Sequence, residues 1–186
     1  MNEKRLLIVL YGDSNQGKTT TLKELVLLLI NGGIILPALR ALLYKLLPSK
    51  GKNVDGRFIL EVNNKRIYIA TAGDTWAISR GNVDFFEGRH LTSMKIYRVT
   101  SSSIAPMSLT ERKDFLDKKA DICVCACSPD GDSTGAIKAL YMYCEEAISN
   151  NYYYQLWLQK NTSMNNGAKA KELYDIVDKY IKSGKI

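Results

Sequence analysis

"LLIVLYGDSNQGKTTTLKEL", residues 6–25, joins an apolar run to a helical pattern through a loop that contains two glycines. Residues 5–11 read as a short, continuously apolar strand, the kind that sits in the middle of a parallel sheet. From Lys18 the pattern KTTTLKELVLLLI predicts a helix, stopped by Asn31-Gly32-Gly33. A strand feeding a helix through a tight loop is the repeating unit of an α/β sheet.

The pattern outside this stretch continues the alternation. Ala38 to Leu47 is amphipathic, with Pro37 at its start, and Pro48-Ser49-Lys50-Gly51 punctuates it. GRFILEV and KRIYIATAG are strand-like runs joined through Asn63-Asn64, which predicts an antiparallel hairpin. Residues 75–98 resist assignment; DFFEGRHL fits a helix and MKIYRVTS a strand. SLTERKDFLDKKA reads as a helix capped by Ser108 or Thr110, and it feeds a buried strand, DICVCACS. A loop, PDGDSTG, leads to the helical AIKALYMYCEEAIS, then a strand, YYYQLWLQ, and a polar loop, KNTSMNNG. In the last helix, Leu173, Ile176, Val177, Tyr180 and Ile181 recur at helical spacing as one core face. The order predicts an α/β sandwich with a mainly parallel central sheet, the hairpin supplying one antiparallel edge. At 186 residues, one domain spanning 1–186 is expected.

Composition narrows the class. The charged start MNEKR and the apolar run after it lack a small-residue cleavage site and lead directly into the glycine loop, which fits a strand rather than a secretory signal. Leu25 to Leu47 is the most apolar region, yet Asn31-Gly32-Gly33, Pro37, Arg40 and Lys45 interrupt it, short of the roughly 18 unbroken apolar residues of a membrane span. A cytoplasmic protein without a membrane association is expected. Cys123, Cys125 and Cys127 alternate and so share one strand face, a spacing that suits core packing rather than a zinc or redox pair; Cys144 stands apart. The net charge is +7, and residues 1–100 hold 15 Lys/Arg against 8 Asp/Glu while residues 101–186 hold 11 of each. The excess includes Arg40, Lys45, Lys50, Lys52, Arg57, Lys65 and Arg66, a basic face expected near a phosphate site; nucleic acid is a weaker explanation of it.

Gly12-Asp13-Ser14-Asn15-Gln16-Gly17-Lys18-Thr19 fits G-x-x-x-x-G-K-[ST] at every specified position. The glycines let successive N–H groups curl inward around an anion, and the helix that follows adds its positive end. Lys18 is placed to reach β- and γ-phosphates, and Thr19 to offer its hydroxyl to Mg²⁺, with Thr20 beside them. In this motif and its strand–loop–helix context the chain resembles the P-loop NTPases, whose fold is a parallel sheet sandwiched between helices in three layers. The resemblance implies binding of a nucleoside triphosphate with Mg²⁺.

Such a fold needs an acidic or water-positioning group near the phosphates. IYIATAGD, residues 67–74, is an apolar strand opening at Thr71-Ala72-Gly73-Asp74. It is similar to the Asp-Thr-Ala-Gly element of small GTPases, which also follows an antiparallel hairpin. That likeness implies Gly73 as the γ-phosphate contact and Asp74 as the water-positioning or metal-associated group. Ala70 stands where that family carries its metal-linked aspartate, so Asp74 is expected to take the metal role together with Thr19. The loop after DICVCACS offers Asp130, Asp132, Ser133 and Thr134, with Asp130 a weaker metal candidate. Arg57, Arg80, Arg89 and Arg98 are candidates to stabilise phosphoryl charge, and His90 is expected to pack or be solvated.

The Asn-Lys-x-Asp element of guanine-specific GTPases has no counterpart in LQKNTS, residues 158–163, which favours ATP over GTP. Hydrolysis that drives a conformational switch is the leading expectation. A kinase acting on a nucleoside, a nucleotide or another small acceptor is second, and a nucleotide-regulated nucleic-acid-binding module is third. A second substrate or protein partner is not legible.

Overall fold

The computed structural model describes residues 5–13, 16–48, 55–73, 78, 81, 82, 84, 95–118, 120–127, 154–160 and 165–183. Among the described residues seven strands form one sheet: β1 (Arg5–Tyr11), β2 (Arg57–Val62), β3 (Lys65–Ala70), β4 (Ile96–Val99), β5 (Ile104–Pro106), β6 (Ile122–Cys127) and β7 (Tyr154–Lys160). Their order is β5-β4-β2-β3-β6-β1-β7. Four neighbouring pairs are parallel, β1–β6, β1–β7, β3–β6 and β2–β4. Two are antiparallel, β2–β3 and β4–β5. The chain is α/β with a mixed, mostly parallel sheet.

The hairpin forms as the dipeptide Asn63-Asn64 demands, with φ of 50° and 63° and Val62 opposite Lys65. Both turn residues need the left-handed region, which asparagine tolerates better than most side chains. Its place in the sheet differs from the expectation. The hairpin is internal, with β6 on the outer side of β3 and β4 on the outer side of β2. The reason is apolar content on both faces: Phe58 and Leu60 face one side of the sheet while Ile59 faces the other, and all three are buried. The edges are β7 and the three-residue β5. Pro106, which has no N–H to offer, fits the edge strand.

Helices α1 (Lys18–Ile30), α2 (Pro37–Leu46) and α4 (Asn166–Ser183) share one core with Leu6, Ile8, Leu10, Ile69 and Val124. Helix α3 (Leu109–Lys118) lies on the other face, where Phe115 joins Leu7, Val9, Tyr68 and the three cysteines of β6. Cys123, Cys125 and Cys127 are buried and form no disulfide among the described residues, as small core residues should. The α4 stripe behaves as its spacing requires, with Leu173, Val177 and Tyr180 buried and Ile176 and Ile181 packed at the margin. At the start of α3, Ser108 Oγ accepts the Glu111 N–H (3.2 Å) and Glu111 accepts the Ser108 N–H (2.8 Å). This reciprocal box makes Ser108 the cap and holds the Glu111 carboxyl below its usual range. The helix expected over AIKALYMYCEEAIS and the residue Cys144 lie outside the described residues.

Candidate functional site

Strand β1 ends at Tyr11, and the chain turns at once. The Gly12 N–H donates to the Cys127 carbonyl (3.3 Å), so the loop is tied to the end of β6 from its first residue. Asp13 and Gln16 close the turn. The Asp13 N–H donates to Gln16 Oε1 (3.1 Å), Gln16 Nε2 to Asp13 Oδ2 (3.0 Å), and the Gln16 N–H to the Asp13 carbonyl (3.3 Å). Ser14 and Asn15 lie outside the described residues.

Gly17 caps α1 with φ of +76°, a left-handed conformation that disfavours any side chain. A Cβ there would also meet the side-chain amide of Asn166, the first residue of α4. Asn166 Oδ1 in turn accepts the Thr21 hydroxyl (3.2 Å). The last helix thus packs its N-terminus directly against the loop, and Asn165 caps it by accepting the Ala168 N–H (3.0 Å). No spacing in the sequence pointed to Asn166, because the contact spans 145 residues.

Lys18 is the chemical centre of the loop. Its side chain is only 6% exposed and turns back so that Nζ donates to the carbonyls of Gly12 (2.6 Å) and Asp13 (2.9 Å). The ammonium is held over the loop with oxygen partners that an incoming phosphate oxygen could replace. Thr19 and Thr20 follow in the first turn of α1. There the N–H groups lack intrahelical partners and the helix dipole favours an anion.

The acidic partner of Thr19 is one the sequence reading missed. Asp55 Oδ1 accepts hydrogen bonds from Thr19 Oγ1 (3.1 Å) and from Thr71 Oγ1 (3.2 Å). The backbone puts it there. The β2–β3 ladder pairs Arg57 with Ala70, and beyond it the Thr71 N–H donates to the Gly56 carbonyl (2.9 Å) while the Gly56 N–H donates to Thr71 Oγ1 (2.8 Å). The residue before β2 is therefore brought beside the residues after β3. Counting back from Asn63-Asn64 along the hairpin would have found Asp55.

Gly73 has a packing reason of its own. A Cβ on it would run into the carbonyl group of Ala126 in β6. Strand β6 also separates β3 from β1, two strand spacings or about 9.5 Å across the sheet. Asp74, Asp130, Asp132, Ser133 and Thr134 lie outside the described residues, as do Lys50, Lys52, Arg80, Arg89 and His90.

The two arginines that are described diverge. Arg57 Nε donates to Asn82 Oδ1 (3.3 Å), which also accepts from Tyr68 Oη (3.4 Å), while Asn82 Nδ2 donates to the Ala72 carbonyl (2.8 Å). This buried network braces the end of β3. Arg98 is a different matter, four strand spacings from β1, about 19 Å. It pairs with Glu111 (3.4 Å) and lines a cavity of about 570 Å³ with Leu29, Glu61 and Arg66. Register places that cavity towards the N-terminal end of β1, away from the loop. Arg98 is thus removed from the phosphoryl candidates.

One turn beyond Thr19, Lys23 is 1% exposed and donates to the carbonyls of Leu47 (2.8 Å) and Pro48 (3.5 Å). Burial lowers its ammonium below the ordinary range, partly opposed by the nearby Asp55 charge. Because the unfolded chain binds this proton more tightly, the Lys23 contribution to stability should rise as pH climbs towards 10.5. Urea unfolding of wild type and Lys23→Met at several pH values checks this. The wild type should gain on the variant as pH rises towards 10.5; a constant difference would show that burial leaves the Lys23 ammonium unshifted.

No group of three or more His, Cys, Asp or Glu side chains converges as a metal cage among the described residues. No helix among them is long and apolar enough to cross a membrane. Comparison with known proteins finds no matching family model, no matching curated protein and no matching solved structure.

Proposed function

We propose that this chain is a P-loop nucleoside triphosphatase that binds Mg²⁺-ATP, in preference to GTP, over Gly12–Thr19 and hydrolyses it. The observation that carries the reading is the Lys18 ammonium. It is buried at a strand–loop–helix junction and held by two loop carbonyls at 2.6 and 2.9 Å. An ammonium buried beside the positive end of a helix is costly on its own, so the site gains from an anion that joins both.

The chemistry follows from charge. Water attacks the γ-phosphorus, the bond to the β-γ bridging oxygen breaks, and negative charge moves onto that oxygen and the equatorial oxygens. The first N–H groups of α1, and Lys18 once phosphate oxygens replace its loop carbonyl partners, would meet this charge as it develops. Thr19 fits the metal role, since a hydroxyl supplements the phosphate oxygens and waters that Mg²⁺ prefers, and Asp74 is the carboxylate expected with it. Bound Mg²⁺ would neutralise part of the triphosphate charge. Of the two described arginine candidates, Arg57 and not Arg98 lies towards the end of the sheet that carries the loop.

Calorimetry with ATP and GTP in Mg²⁺, followed by phosphate release without an added acceptor, tests the proposal. Binding with slow release of inorganic phosphate is expected, with ATP the tighter ligand. Tight binding without release would replace hydrolysis with a binding or transfer role. Phosphate appearing on an added nucleoside or nucleotide would establish the kinase alternative.

A further inference from the structure

We propose that Asp55, from the segment that enters β2, is the carboxylate of the Mg²⁺ site and acts beside the Thr19 hydroxyl. This rests on the nucleotide-binding reading above and changes the acid assigned to it.

Two observations carry the inference. The first is distance: Asp55 Oδ1 lies 3.1 Å from Thr19 Oγ1, the hydroxyl that the motif assigns to the metal. An ion that takes an oxygen ligand from Thr19 therefore arrives within reach of the Asp55 carboxylate. The second is support. Thr71 is 2% exposed and its hydroxyl accepts the Gly56 N–H at 2.8 Å, so its single proton is directed to Asp55 Oδ1 at 3.2 Å or the Gly56 carbonyl at 3.3 Å. Asp55 is exposed, yet it hangs from a rigid two-strand ladder.

The donor set suits Mg²⁺ over softer metals. It consists of one carboxylate and one hydroxyl, leaving the remaining positions to phosphate oxygens and water. Thr71 is a positioning residue here, since it acts on the ion only through Asp55.

The experiment measures ATP affinity by calorimetry with excess Mg²⁺ and again with EDTA, for wild type, Asp55→Asn, Asp74→Asn and Thr71→Val. Mn²⁺ binding to the ATP complex, followed by electron paramagnetic resonance, gives a second readout independent of turnover. Asp55→Asn keeps an acceptor for Thr19 and Thr71 and should fold as the wild type does. It should lose about tenfold or more of the Mg²⁺-dependent gain in ATP affinity, with metal-free affinity unchanged or tighter. Thr71→Val should lose part of the same gain, and Thr71→Ser should restore it. A full Mg²⁺-dependent gain in Asp55→Asn, with its loss in Asp74→Asn, overturns the inference and returns the metal to the end of β3. Absence of ATP binding to the wild type, with or without metal, overturns the nucleotide reading itself and the inference with it.

Discussion

Lys18→Ala is expected to weaken ATP binding about 10- to 150-fold, the equivalent of the ~1.5–3 kcal/mol carried by a hydrogen bond to a charged group. The side chain already sits where the charge is needed, bonded to the Gly12 and Asp13 carbonyls. Binding replaces carbonyl partners with phosphate oxygens, and the gain is the difference between a charge–dipole and a charge–charge contact. Removing the ammonium leaves two loop carbonyls, which water can reach once the side chain is truncated. The unfolding temperature should therefore change little while affinity falls. Lys18→Arg should not rescue it, because a planar guanidinium is too large for a loop this close to its own carbonyls. Calorimetry with a slowly hydrolysed ATP analogue reads the effect. Equal affinity in Lys18→Ala and wild type would remove the phosphate cradle from consideration.

Gly73→Ala should destabilise the fold by about 3 kcal/mol, near the upper end of overpacking costs. The new methyl group meets the Ala126 carbonyl and lies 3.0 Å from the Cys127 nitrogen. All of these atoms are backbone, so no neighbouring rotamer can make room, and the segment leaving β3 must separate from the end of β6. Both strands are internal, and the strain has no edge through which to relax. For a chain of this size the loss corresponds to a fall in unfolding temperature of about 6–12 °C. Chemical denaturation without nucleotide is the measurement. A glycine needed only to approach a γ-phosphate would give a different result: unchanged stability and a weaker ligand.

What was legible in the sequence was what neighbouring residues decide among themselves. The start of α1 at Gly17, the Asn63-Asn64 turn, the Ser108 cap and the α4 stripe are all local patterns, and each forms where it was expected. The order of strands is not local. That β6 lies between β1 and β3, that the hairpin is internal and that β5 closes the sheet depend on crossovers which hydrophobic pattern does not encode. Asp55 belongs to an intermediate case. It sits in a polar stretch with no periodicity, yet the hairpin turn specifies its register. The arginines mark the limit from the other side, because composition counted Arg57 and Arg98 alike while the fold gives them different partners, Asn82 and Glu111.

The position of β1 also sets a timetable. Its two neighbours are β6 and β7, so Leu6 waits for Ile122 and Arg5 for Tyr154. At ribosomal speeds of about 5–20 residues per second, roughly 5–20 s pass before the first of these partners is even made. The hairpin, by contrast, closes across two residues and can form as soon as it emerges. The apolar run that carries the loop is thus made well before its partners and is among the last to be paired. Until then it is the segment most in need of a chaperone, and the cradle that hangs from it cannot yet be shaped.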